Sequence, residues 1–108
     1  ICAAEQGKFF PMHDVLYDKR KEWMKAGNAR AQMTTYAARV KLDMTRFSTC
    51  MKGKAVSEQL QRNNVLARSL FIRGTPTFFI NGLAVIGAQP IEVFKQVIDK
   101  ELAGEFPQ

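Results

Sequence analysis

Two short runs, Thr77-Phe78-Phe79-Ile80 and Leu83-Ala84-Val85-Ile86, are the only β-favouring segments in 108 residues, and Asn81-Gly82 joins them. An Asn-Gly pair between apolar runs is the strongest short-range hairpin signal, because a type I′ turn needs positive φ at both central positions. A two-stranded hairpin is marginal by itself. Both runs are apolar at nearly every position, as in strands covered on both faces. Such a pattern belongs in a larger sheet, and the chain offers no further strand. The sheet is expected to be incomplete.

The rest of the sequence reads as helices. Residues 1–17 are helical, broken near Gly7 and restarted at Phe9-Phe10, with Pro11 in the first turn where its missing N–H costs nothing. Phe10, His13, Leu16 and Tyr17 fall on or near one face. Residues 18–28 are highly charged and end in Gly-Asn, which reads as a helix end or an exposed connection. Residues 29–40 carry Met33, Tyr36, Ala37 and Val40 at helical spacing. Asp43 is placed to cap a short helix from Met44 to Met51, with Phe47 inward and Gly53 at its end. Over 55–71, Val56, Leu60, Val65, Leu66 and Leu70 outline a buried stripe, with Ser57 near the start. After the hairpin, Gly87 ends the second strand and Pro90 opens a last helix. Ile91, Phe94, Val97, Ile98 and Leu102 supply its apolar face, and Gly104 closes it. Glu105 to Gln108 reads as a tail.

Composition bounds the function classes. The length suits one domain, and no stretch approaches the roughly 20 apolar residues that span a bilayer. The net charge is +6, with ten Lys/Arg against Glu22 and Asp43 alone in residues 19–54. These cations are scattered over helical positions, with no stacking platform and no reader motif. They describe a solvated face rather than a nucleic-acid surface, so no nucleic-acid partner is expected. The chain has two cysteines and one histidine. They form no CxxC and no zinc-ligand set, so neither metal nor cofactor is expected. His13 has no evident nucleophile beside it, and a backbone or carboxylate partner suits it better than catalysis. Phe9, Phe10, Phe47 and Phe71 read as core, and Trp23 as a half-exposed cap on the helical part.

The segment Arg73-Gly74-Thr75-Pro76-Thr77-Phe78-Phe79-Ile80-Asn81-Gly82 resembles the DsbA-like branch of the thioredoxin superfamily, in which Gly-Thr-Pro-Thr-Phe enters a central strand and an Asn-Gly hairpin follows. Val85-Ile86-Gly87-Ala88-Gln89-Pro90, the early Cys2-Ala3-Ala4-Glu5-Gln6-Gly7-Lys8-Phe9, Met12-His13-Asp14 and Phe47-Ser48-Thr49-Cys50 are also similar to that family. The hairpin motif is fairly specific; the others are weak singly. The resemblance covers almost the whole chain, in order.

The resemblance implies an α+β, mostly helical chain with a partial thioredoxin-like fold. Residues 1–71 would form an insertion-type helical subdomain and residues 72–108 a C-terminal β-hairpin-α unit, within one structural domain. It implies a cis bond before Pro76, with Gly74, Thr75 and Pro76 offering backbone groups to a substrate peptide by β-addition. It implies a role in disulfide formation or isomerisation in secreted proteins, through thiolate attack and a mixed disulfide. The family's redox-active CxxC sits upstream at a helix N-terminus, and nothing here matches it. This chain alone is expected to be inactive, a fragment lacking that segment. No catalytic residue is therefore assigned.

Some relatives carry an extra cysteine pair, which makes Cys2 and Cys50 candidates for a structural disulfide; two separate buried thiols are the alternative. The partners implied are unfolded or cysteine-containing proteins and a membrane redox partner, in a bacterial periplasmic or other extracytoplasmic compartment. Two other functions compete: a non-catalytic binding or assembly module using the exposed sheet edge, and a glutathione-dependent isomerase or transferase. The unpaired Thr77–Ile80 strand further predicts self-association.

Overall fold

The computed structural model describes residues 1–105. A short 3₁₀ turn, Ala4–Gln6, precedes α1 (Phe9–Asp18), α2 (Arg20–Lys25), α3 (Ala29–Arg39), α4 (Met44–Lys52) and α5 (Lys54–Ser69). Then come β1 (Thr77–Ile80), β2 (Leu83–Ile86) and α6 (Ile91–Leu102). Of the tail expected over Glu105 to Gln108, residues 106–108 lie outside the described residues. The chain is a mostly helical α+β chain that divides into two compact units, Ile1–Asn63 and Asn64–Gln108.

The first unit has a true core. Cys2, Ala3, Met12, Tyr36, Ala37, Leu42 and Phe47 are buried together, and Val15, Leu16, Trp23, Met33, Val40 and Val56 pack around them. The expected stripe of α3 and the inward Phe47 are both present. Helix ends are satisfied by named groups. Asn28 Oδ1 accepts from the Ala31 N–H at 3.1 Å, and Asp43 Oδ1 accepts from the Arg46 N–H at 3.0 Å. Each cap supplies a partner to an N–H that lacks one within the helix. α3 ends with Lys41 at φ 61°, and the Leu42 N–H reaches back to the Ala37 carbonyl at 3.1 Å. Lys8 Nζ donates to the Val40 and Lys41 carbonyls at 3.0 and 3.1 Å, a cation set against the negative end of the helix.

Two expectations for this unit need correction. The charged stretch 18–28 is not a plain connection: α2 occupies Arg20–Lys25. Lys, Arg, Glu and Met are good helix formers, and Trp23 anchors the turn by donating from Nε1 to the Leu16 carbonyl at 2.7 Å. The buried side of α1 is Met12 with Val15 and Leu16, whereas Phe10 and Tyr17 stand exposed beside Phe9 and His13. Both stripes have helical spacing, so only packing chooses between them. Gly53 ends α4 as the sequence predicts, in an extended conformation with φ −75° and ψ 162°.

In the second unit, β1 and β2 pair antiparallel in the register Thr77↔Ile86, Phe78↔Val85, Phe79↔Ala84 and Ile80↔Leu83. Asn81 and Gly82 have φ of 49° and 86°, the turn that the dipeptide predicts. The Gly87 N–H donates to the Pro76 carbonyl at 2.8 Å and carries the ladder one pair further. Side chains alternate across the sheet. Phe78 meets Phe94 of α6 edge to face, centroids 4.9 Å apart, on the face that also holds the buried Val85. Asn81 Nδ2 donates to Glu101 Oε1 at 3.3 Å and ties the turn to the same helix. Pro90 sits just before α6 as its cap, one residue earlier than the sequence pattern places it.

Here too the sequence overstates burial. Leu60, Val65, Leu66 and Leu70 of the α5 stripe are all exposed, as are Phe71, Phe79 and Ile86. Among the expected core phenylalanines only Phe47 is buried. The apolar pattern records what these positions prefer to contact. Phe79 and Ile86 lie on the sheet face away from α6, and that face of the hairpin is the exposed one.

Candidate functional site

The residues singled out at the start of β1 lie together on the surface. Phe71 takes φ 57° at the end of α5, and the Ile72 N–H donates to the Ala67 carbonyl at 3.0 Å. This closes the helix and releases the chain toward Gly74, Thr75 and Pro76, all of them exposed. The Thr75–Pro76 peptide bond is cis. Thr77 Oγ1 donates to the Gly74 carbonyl at 2.7 Å, and the Pro76 carbonyl is held by Gly87, so this turn is fixed from both sides.

The hairpin register decides which backbone groups are free. In a two-residue hairpin the flanking pair Ile80↔Leu83 is hydrogen-bonded, and bonded pairs then alternate. Phe78 and Ile80 therefore turn their N–H and C=O groups toward β2. Thr77 and Phe79 turn theirs outward, along the edge that begins at Pro76. Among the described residues β1 pairs with β2 alone.

Beside that edge, the face of the sheet away from α6 carries an apolar groove of about 280 Å³ lined by Leu70, Phe71, Arg73, Thr77, Phe79 and Ile86, among others. Arg73 is the charged group of the lining. The sequence reading did not find this groove. Its signal was the two-residue alternation, which sets Thr77 and Phe79 with Ala84 and Ile86 on one face.

Cys2 and Cys50 lie in the helical unit and are joined by a disulfide that closes a separation of 48 residues. Neither is a free thiol. His13 Nδ1 lies 3.1 Å from Asp14 Oδ1, and its ring stacks 4.7 Å from Tyr17 in an exposed aromatic row with Phe9 and Phe10. Among the described residues no group of three His, Cys, Asp or Glu side chains is placed to hold a metal ion. No helix there is long and apolar enough to cross a membrane.

Comparison with known proteins places this geometry in a family. A family model described as thioredoxin matches residues 1–100. Among curated proteins, the chain is 33% identical over 97 residues to a Na(+)/H(+) antiporter, NhaA 3, of Salinispora tropica, covering 90% of this chain and 14% of that protein. It is 30% identical to NhaA 1 of Salinispora arenicola, over 95% of this chain and 15% of the antiporter. It is 22% identical over 105 residues to a provisionally named protein-disulfide oxidoreductase of Rickettsia typhi, covering 96% of this chain and 38% of that protein. The chain thus spans about a seventh of the antiporters and under two fifths of the oxidoreductase. No solved structure matches it at a significant level. The Gly-Thr-Pro-Thr-Phe entry to a hairpin, the helices before it and the matched residues agree: the chain belongs to the DsbA-like thiol-disulfide oxidoreductase family of the thioredoxin superfamily.

Proposed function

We propose that this chain forms the peptide-docking part of a protein thiol-disulfide oxidoreductase that acts on cysteine-containing, unfolded proteins outside the cytoplasm. The observation that carries the reading is the continuous exposed run of Gly74, Thr75 and Pro76 leading into the outward N–H and C=O groups of Thr77 and Phe79. An extended peptide laid along that edge gains main-chain hydrogen bonds and can set alternate side chains against the apolar groove. The chemistry would come from a thiolate pair elsewhere in the parent protein. In disulfide formation a substrate thiolate attacks the oxidised pair, a mixed disulfide forms, and a second substrate thiolate displaces the reduced pair; in isomerisation a thiolate of the pair attacks a substrate disulfide and is then displaced by another substrate thiolate. Cys2 and Cys50, already bonded to each other, hold the helical unit together. A disulfide of this kind suits an oxidising compartment, which supports the extracytoplasmic assignment. A membrane redox partner for the parent protein belongs to the same reading.

The test is a titration of the isotope-labelled chain with an extended cysteine-containing peptide, followed by amide shifts. Shifts concentrated at Thr75, Thr77 and Phe79 are expected. Saturating peptide that leaves those three amides unmoved would overturn the proposal.

The antiporter relatives favour a second reading, in which the chain is a non-catalytic binding module carried by a membrane transporter. Peptide binding by the chain without any thiol-disulfide turnover by the parent protein would select it.

A further inference from the structure

We propose that the Cys2–Cys50 cross-link is a thiol-exchange site, at which a small zwitterionic thiol of the glutathione class is taken up reversibly on Cys50 rather than on Cys2. This holds whether or not the peptide-docking reading does.

The two cysteines stand in different surroundings. Cys2 is 5% exposed and belongs to the core of the helical unit, with Met12, Tyr36 and Phe47. Cys50 is half-buried on α4 and lines a surface cleft of about 300 Å³ with Glu5, Gln6, Thr45, Arg46 and Thr49. Thiol-disulfide exchange begins with thiolate attack on one of the two sulfurs, and access helps decide which. An incoming thiolate reaches Cys50 from the cleft, whereas Cys2 is reached only by opening the core.

The cleft also selects the thiol. Its Gln6 side chain is pinned to the Asp43 backbone by hydrogen bonds of 2.7 and 3.1 Å, and Thr49 Oγ1 donates to the Thr45 carbonyl at 3.0 Å. Glu5 and Arg46 are the charged groups of the lining, and neither is in an ion pair among the described residues. A thiol that carries both an ammonium and a carboxylate finds an opposite charge for each, which an uncharged thiol does not.

The step balances. The thiolate RS⁻ bonds to Cys50 Sγ, the Sγ–Sγ bond breaks, and its electron pair leaves on Cys2, which takes a proton. The reverse step needs no oxidant: the Cys2 thiolate attacks the Cys50 mixed disulfide and expels RS⁻. Cys2 sits in the core beside Cys50, so closure is intramolecular and is favoured once free thiol is scarce.

The test is exchange on the native chain. The protein is exposed to reduced glutathione without oxygen, quenched in acid at intervals, and mapped by peptide mass spectrometry. The adduct is expected on Cys50 over Cys2 by about tenfold or more, with that preference lost when the chain is first unfolded in denaturant. Removing free glutathione should restore the cross-link and release the adduct, still without oxygen. In R46E the exchange rate with glutathione should fall severalfold relative to that with mercaptoethanol, because the carboxylate then meets a like charge. A native chain that forms no adduct overturns the proposal, as does an adduct on Cys2 or shared equally between the two cysteines of the folded chain. An adduct that persists after free thiol is removed overturns reversible exchange. An unchanged rate ratio in R46E overturns the assignment to a zwitterionic thiol.

Discussion

The Tyr36 hydroxyl, on a ring with no exposed surface, donates a 2.8 Å hydrogen bond to Glu22 Oε1 and links α3 to α2. Burial and then the neighbouring carboxylate push the phenol above its ordinary value of 10.0, with Arg39 pulling the other way. A raised folded pKa means that the native state holds the proton more tightly than the unfolded chain. The stabilisation is complete below about pH 10 and is lost as pH rises through the folded value. Denaturant unfolding of the helical unit should therefore weaken between neutral and strongly alkaline pH. Y36F should flatten that slope while lowering stability at pH 7. An unchanged slope in Y36F would assign the alkaline loss to other groups.

Removing the cross-link should act mainly on the unfolded chain. Closing the 48-residue separation between Cys2 and Cys50 is worth about 4 kcal/mol in the chain-entropy account. C2A/C50A, or the native chain under strong reductant, should unfold at markedly lower denaturant concentration. Most of the lost stability should appear as slower folding rather than as altered native packing, so native spectra of the helical unit should hardly change.

Burial, not hydrophobicity, should rank the core substitutions. Phe47 is 4% exposed and Leu60 is 49% exposed, although both occupy apolar helical stripes. F47A should cost about 3–5 kcal/mol through lost transfer energy and the cavity left behind. L60Q should fall within about 0.5 kcal/mol of the native chain. Thermal or denaturant melts of the two variants decide this, and equal losses would mean that the α5 stripe is covered in solution.

The hairpin turn offers a backbone test without a packing one. Gly82 has φ 86°, and an added Cβ there meets nothing within 4 Å. G82A should therefore lose only the conformational term, about 1 kcal/mol. Amide-exchange protection of Phe78 and Ile80 should fall by the matching factor, while the helical unit keeps its own protection.

Local chemistry was legible in the sequence wherever it acts within a few residues. Asn81-Gly82 set the turn and with it the strand register. Asp43 and Phe47 set one helix start and its inward face, and the spacing of Met33, Tyr36 and Ala37 set another. The family and the stretch Gly74-Thr75-Pro76 were readable for the same reason, since contiguous residues carry them. Other ends were not readable, because Lys41 and Phe71 take left-handed positions that sequence normally reserves for glycine. α2 was hidden by charge, since its anchor, Trp23 to the Leu16 carbonyl, is a tertiary contact.

Periodicity alone fixes which residues share a face of a helix or strand, and this it did here. It cannot say which face is covered, because burial depends on what other parts of the chain bring to that face. α1 and α5 each offered an apolar stripe; the tertiary structure buried Met12 beneath the first and left Leu66 of the second in solvent. The outward edge at Thr77 and Phe79, and the groove beside it, likewise exist only once β2 and α6 have taken the other side of β1.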